Sequence, residues 1–216
     1  MCAHGAPALV LVELFTSQGC SSCPPADALL AKLDEVPHVV VLSEHVDYWN
    51  YLGWRDPFSS AVFSERQAAY VRRFGLRSAY TPQMVVDGQV EFVGSDGGQA
   101  RRAIDRAGRA SKLPITITRD GNTIRVDASA GAKAELWIAL AREQGASDVP
   151  RGENAGRHLK HVAVVRSLFK AGEVGKDKAL NHAFKLPPPE AGALGWRVVA
   201  FLQEPGPGRV VGVAKL

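Results

Sequence analysis

Cys20 and Cys23, separated by Ser21 and Ser22, are the residues whose type and spacing point most directly to chemistry. A thiolate is the nucleophile of disulfide exchange, and a pair at this spacing lets one sulfur attack while the other resolves the mixed disulfide. The flanking residues supply a frame for that chemistry. Residues 8–15 are apolar except for Glu13 and read as a buried strand, residues 16–19 as a turn, and Cys20 onward as a helix start. Pro24 and Pro25 are tolerated only in a first turn, and Ala26, Leu29, Leu30 and Leu33 keep helical spacing up to Pro37. At such a helix start, unpaired N–H groups and the helix dipole favour a charged sulfur. Cys20 is therefore expected to be the partly exposed nucleophile with a lowered pKa, and Cys23, one turn in, the resolving thiol. Two other readings of the pair stay open: half of a metal site, although no second CxxC or CxxH completes four ligands, and an inert structural pair.

Further residues gather around this reading. Thr81-Pro82 enters a strand after a helix, where a cis bond often holds a tight turn and leaves the Thr81 backbone free to pair with an extended substrate; the alternative is a trans proline starting an edge strand. Glu13 either lies beneath the thiols as acceptor of the Cys23 proton or leans out at the strand end. The passage holding Tyr48, Trp49 and Trp54 lines a substrate groove or plugs the side of the domain. His45 and Asp47 sit at a strand end. In residues 152–161, His158 and His161 are an odd number apart on a strand, so they face opposite sides and make a poor ligand pair; a turn leading into a strand fits better.

The elements that must position these residues follow from periodicity. After the first helix come a buried strand at 39–43, a helix at 58–74 closed by Gly75, a hairpin at 84–93 turning on Asp87-Gly88, and a helix at 96–110. Beyond Ser111 the helical pattern stops. Seven short runs (115–119, 123–128, 134–142, 159–169, 179–186, 196–202 and 209–214) alternate with Gly, Pro, Asn and Asp, the profile of a β-sandwich, with a turn at Pro187-Pro188-Pro189. The expected organisation is an α/β domain over residues 8–111 followed by an all-β, sandwich-like domain over 112–216.

Composition narrows the function classes. The net charge of +4 is mild; residues 112–216 carry 16 Lys+Arg against 10 Asp+Glu, but spread along alternating segments, which suits solvated strand faces better than a nucleic-acid stripe. No run approaches the roughly 18 apolar residues of a membrane span, and residues 1–5 lack the basic and apolar regions of an export signal. Cys2 reads as a mobile terminal thiol, or as a lipidated terminus.

On the CSSC at Cys20 to Cys23 and on Thr81-Pro82, residues 8–110 resemble the thioredoxin superfamily. They depart from it at Gly19, where the family's usual Trp stands, and at Ser21-Ser22, where it has Gly-Pro. A closer resemblance is to the mostly exported bacterial family called domain of unknown function 1223. It rests on residues 13–27, on Tyr80-Thr81-Pro82-Gln83-Met84, on Gly152-Glu153-Asn154 through Gly156-Arg157 to His161, and on Val164-Val165-Arg166. The resemblance implies a thioredoxin-like domain with an all-β partner and a periplasmic or secreted location. The function expected first is thiol-disulfide exchange or redox chaperoning of exported proteins, with protein or peptide thiols and disulfides as partners and no cofactor. A copper- or metal-handling protein using the same cysteines and a redox-inert, peptide-binding adaptor are the alternatives.

Overall fold

The computed structural model describes residues 7–188 and 195–216; Cys2 and Pro189 lie outside the described residues. The apolar run after Ala8 forms β1 (Val10–Thr16), buried along its whole length. It is followed by α1 (Pro24–Asp34), β2 (Val39–His45), a 3-10 turn (Asn50–Leu52), α2 (Ala61–Phe74), β3 (Gln83–Val86), β4 (Val90–Val93) and α3 (Gly97–Ala107). Side-chain caps start two of the helices: Ser60 accepts from the Val62 N–H at α2, and Asp96 from the Gln99 N–H at α3. Gly75, in the left-handed region, stops α2. Asp87 and Gly88 both have positive φ, 49° and 64°, the turn that joins β3 to β4.

The second half supplies β5 (Ile115–Asp120), β6 (Thr123–Ala128), β7 (Ala134–Val149), β8 (Arg157–Val174), β9 (Leu180–Lys185), β10 (Trp196–Gln203) and β11 (Val210–Lys215). The seven expected runs are all strands, but the expected fold class, a thioredoxin-like α/β domain followed by a β-sandwich, is not what they build. Strand accounts for 43% of the described residues and helix for 19%, so the protein is mostly β. Strands of both halves form one mixed eight-stranded sheet, ordered β11-β10-β7-β8-β2-β1-β3-β4, and only β5, β6 and β9 stand apart as a three-stranded sheet.

The physical reason lies in β7 and β8. At 16 and 18 residues they outrun their apolar segments, because the polar stretch after Arg142 pairs with the start of β8, from Gln144↔Val162 to Val149↔Arg157. The lengthened ribbon reaches the open edge of β2 and pairs with it in parallel at Ser43↔Val164. A fully buried strand cannot leave that edge bare, so the two halves share a sheet. Arg197 of β10 adds a polar tie, donating to Asp34 at the end of α1 at 2.7 and 2.9 Å and also to Glu143 of β7.

Strand parity decides which face each side chain reaches. Val10, Val12 and Leu14 of β1 and Val39 and Val41 of β2 pack with Ala26 and Leu30 of α1 and Ile104 of α3. Their alternates Leu11, Val40 and Leu42 pack with Phe63 of α2 on the other face. The three-stranded sheet lays Ile124, Val126 and Ala128 over Leu136, Ile138 and Leu140 of β7, while Arg125 and Asp127, between them, are exposed. The basic residue of that strand, Arg125, thus lies on a solvated face.

Candidate functional site

Cys20 and Cys23 are joined in a disulfide, with Cα atoms 5.4 Å apart. The turn closes on itself as the Cys20 N–H donates to the Ser17 carbonyl and the Cys23 N–H to that of Cys20. Cys23 is the N-cap of α1, and its carbonyl accepts from the N–H groups of Ala26 and Asp27. Pro24 and Pro25 take first-turn positions, where an N–H would lack a partner anyway.

The Thr81-Pro82 peptide is cis and stands beside this turn. Ser22 Oγ lies 3.4 Å from Cys20 Sγ and donates to the Thr81 carbonyl at 3.5 Å, so the Thr81 backbone expected to be free already has a neighbour. The aromatic passage holds both sides of the turn. Trp49 Nε1 donates to Thr81 Oγ1 at 2.8 Å, Trp54 Nε1 to Gln18 Oε1 at 3.0 Å, and the Tyr48 hydroxyl to Gln67 Oε1 at 3.0 Å. Gly19 permits the approach: a Cβ there would lie 2.9 Å from the Trp49 Cβ. The residue before Cys20 is small because an aromatic ring arrives from another loop.

Cys20 is not the exposed thiol the spacing suggests; in the disulfide it is 1% exposed and Cys23 is fully buried. The cover is the tip of the β7–β8 hairpin, which sequence reasoning took for a simple turn. Asn154 Nδ2 donates to the carbonyls of Gln18 and Cys20, each at 2.9 Å, while its Oδ1 accepts from Arg157 Nη1 at 2.9 Å. Glu153 Oε2 accepts from the Ser21 N–H at 3.0 Å, and hydrogen bonding to Ser21 holds the Glu153 carboxyl below its usual range.

Glu13 faces α2. Its carboxylate accepts from Arg66 Nε at 2.5 Å and from the Tyr70 hydroxyl at 2.6 Å, and Arg66 also reaches Gln203. The α1 face carries a different acidic residue, Asp27, one turn beyond Cys23. Thr16 Oγ1 donates to Asp27 Oδ1 at 3.0 Å, and His161 Nδ1 lies 3.5 Å from the same oxygen. The ring of His161 stands 4.6 Å from that of His45, whose Nδ1 is 2.6 Å from Asp56 Oδ2. Burial disfavours a charged His45, but the Asp56 carboxylate overrides it and raises the histidine's pKa. Burial likewise pushes Asp56 up, yet His45 and the N–H groups of Gln18 and Phe58 hold it below its usual value. Gln18 joins the parts, its N–H donating to Asp56 and its Nε2 lying 2.9 Å from Ser147 Oγ and 3.4 Å from His161 Nε2. His158 is exposed and pairs with Asp148, whereas His161 is buried. Among the described residues no group of three or more His, Cys, Asp or Glu is arranged to hold a metal ion, and no helix is long and apolar enough to cross a membrane.

With the cysteine turn, its hairpin cover and the buried histidines in place, residues 11–203 match the family described as a protein of unknown function, DUF1223. The chain belongs to that family. Among solved structures, this DUF1223 protein is similar to protein AGR_C_4864 from Agrobacterium tumefaciens, at 30% identity and a TM-score of 0.82 over 98% of this chain and 96% of that one. It also shares its fold with HBP35 of Porphyromonas gingivalis, at 14% identity and a TM-score of 0.66, covering 98% of this chain and 76% of the other. No curated protein matches it.

Proposed function

We propose that this DUF1223 protein exchanges thiols and disulfides with exported polypeptides through Cys20 and Cys23, and that it works in the periplasm or outside the cell. The observation that carries the reading is the Cys20–Cys23 disulfide at the start of α1 with the buried Asp27–His161 pair one helical turn away. Ser22 stands beside Cys20 Sγ and links it to the Thr81 carbonyl, where a partner chain must approach. An oxidising compartment suits such a bond, because cytosolic thiols are kept reduced.

In the reduced form the Cys20 thiolate attacks one sulfur of a partner disulfide; the new S–S bond joins Cys20 to the partner, and the other partner sulfur leaves as a thiolate. Cys23 then gives its proton to Asp27, attacks Cys20 Sγ and displaces the second partner sulfur. Of the two partner thiolates, one takes the proton that passed to Asp27 and the other takes one from water, the equivalent released when Cys20 ionised, so the partner gains two electrons and two protons and the protein holds its disulfide again. The reverse sequence donates the disulfide. The test is to reduce the protein and mix it with a peptide disulfide: the wild type reaches exchange equilibrium, Cys20→Ser does not, and equal behaviour of the two sinks the reading.

Burial of the disulfide favours one second reading, a redox-inert adaptor in which the bond only staples the turn. The reduction potential of the pair separates the two, since structural disulfides lie below roughly −300 mV.

A further inference from the structure

Between α1 and the β7–β8 ribbon runs an open groove of about 920 Å³ that starts at the first turn of α1, beside the cysteines. Its helix wall is smooth, made by Pro24, Ala28 and Ala31. Its strand wall is basic: Arg157, His158 and Lys160 are all exposed there, and the acidic side chain among its lining residues, Asp27, is buried against His161. Asp148 offsets His158 alone.

We infer that this groove docks an extended, acidic segment of the polypeptide whose cysteines meet Cys20 and Cys23, with Arg157 and Lys160 determining specificity. The inference rests on the exchange reading above and adds the class of partner. A smooth helix wall facing a cationic strand wall suits an extended chain whose acidic side chains turn toward the ribbon. The groove is also coupled to the buried disulfide through Arg157, whose guanidinium holds Asn154, which in turn holds the Cys20 carbonyl. A partner carboxylate competes with Asn154 Oδ1 for Arg157, so occupancy of the groove loosens the cover over Cys20. An acidic partner is thereby both recognised and admitted.

Two short peptides with one internal disulfide each, identical except for glutamates or lysines beside it, serve as probes for the reduced full-length protein. The acidic peptide is expected to half-saturate exchange at about tenfold lower concentration at low ionic strength, and the difference to shrink in high salt. Arg157→Glu combined with Lys160→Glu reverses the preference, and Lys160→Glu alone, which leaves the Asn154 contact in place, weakens it. Equal half-saturation for the two peptides, or a preference that survives charge reversal, overturns the inference. Fluorescence anisotropy of cysteine-free versions of both peptides reads docking without chemistry. Selective binding of the acidic peptide without turnover supports the groove while sinking the exchange reading. Turnover without selective binding leaves exchange standing and removes the groove's role.

Discussion

The two faces of the large sheet each bury a cluster of charged side chains, and the clusters are built on opposite terms. Under α2, Arg66 sits among Glu13, Glu44 and Tyr70, with its guanidinium over the rings of Tyr70, Trp137 and Phe201. Burial, and then the neighbouring Glu13 charge, push the Glu44 pKa well above its usual value and so favour its protonated form beside the Glu13–Arg66 pair. Next to α1, Asp27, His161, His45 and Asp56 carry two acids and two histidines; His45 Nε2 and His161 Nδ1 there, like both Glu44 carboxyl oxygens on the other face, have no hydrogen-bond partner. One cluster is centred on a permanent cation and ties α2 to the sheet. The other holds no permanent cation and sets two imidazoles against two carboxylates, next to the disulfide.

Arg66→Leu gives the largest expected effect, because it strands Glu13 without its cation. Removing one partner of a buried ion pair costs about 3–5 kcal/mol. The urea midpoint should fall accordingly, and Glu13→Gln in the same chain should recover part of the loss. A stability close to wild type for Arg66→Leu alone would contradict the structural role given to this face. The counterpart on the other face is Asp27→Asn. Here the expected loss is in rate: about a hundredfold slower resolution of the mixed disulfide, the lower range for a positioned proton acceptor, with a much smaller change in the urea midpoint. Trapped mixed disulfide, seen by mass spectrometry, is the readout. An unchanged rate at every pH would remove Asp27 from the mechanism.

Sequence reasoning reached the elements of both faces and missed how they meet. The cysteine turn, its helix and the Asp87-Gly88 hairpin were legible because turn chemistry and helix starts are local. The sequence leaves Glu13 either beneath the thiols or leaning out at the strand end, because β1 is apolar on both sides and its pattern carries no inside and outside; in the fold, parity puts Glu13 with Leu11 and opposite Val12. The sharing of one sheet turns on Ser43↔Val164, a pairing of residues more than half the chain apart that leaves no periodic signal. Residues 143–149 look like a loop because their strand is held by pairing with β8 and not by an apolar face. The arrival of Asn154 and His161 at the cysteines depends on that pairing, so neither stood out as a site residue.

The smallest expected effects test the two clusters by pH, and the signs can be worked out. A raised native pKa makes Glu44 hold its proton to higher pH than the unfolded chain, which releases it around 4.5, its usual value, so its contribution to stability declines as pH rises from there through the native value. Glu44→Gln keeps a neutral group that can donate to Glu13. It should match the wild type in acid and exceed it by about 2–4 °C in Tm near pH 8. His45 has the same sign in a later window. Its raised pKa means a contribution fully present below 6.5 and lost as pH climbs through the native value, while the lowered Asp56 contributes above its usual 3.8 and loses this as pH falls through its native value. His45→Asn therefore flattens the decline above 6.5, but it leaves the buried Asp56 without its cation and starts about 1–3 kcal/mol lower. Two flattened profiles with offsets of opposite sign would mark the α2 cluster as one that tolerates a neutral substitute and the α1 cluster as one that requires its charge. Offsets of the same sign would mean that the two faces bury their charges on the same terms.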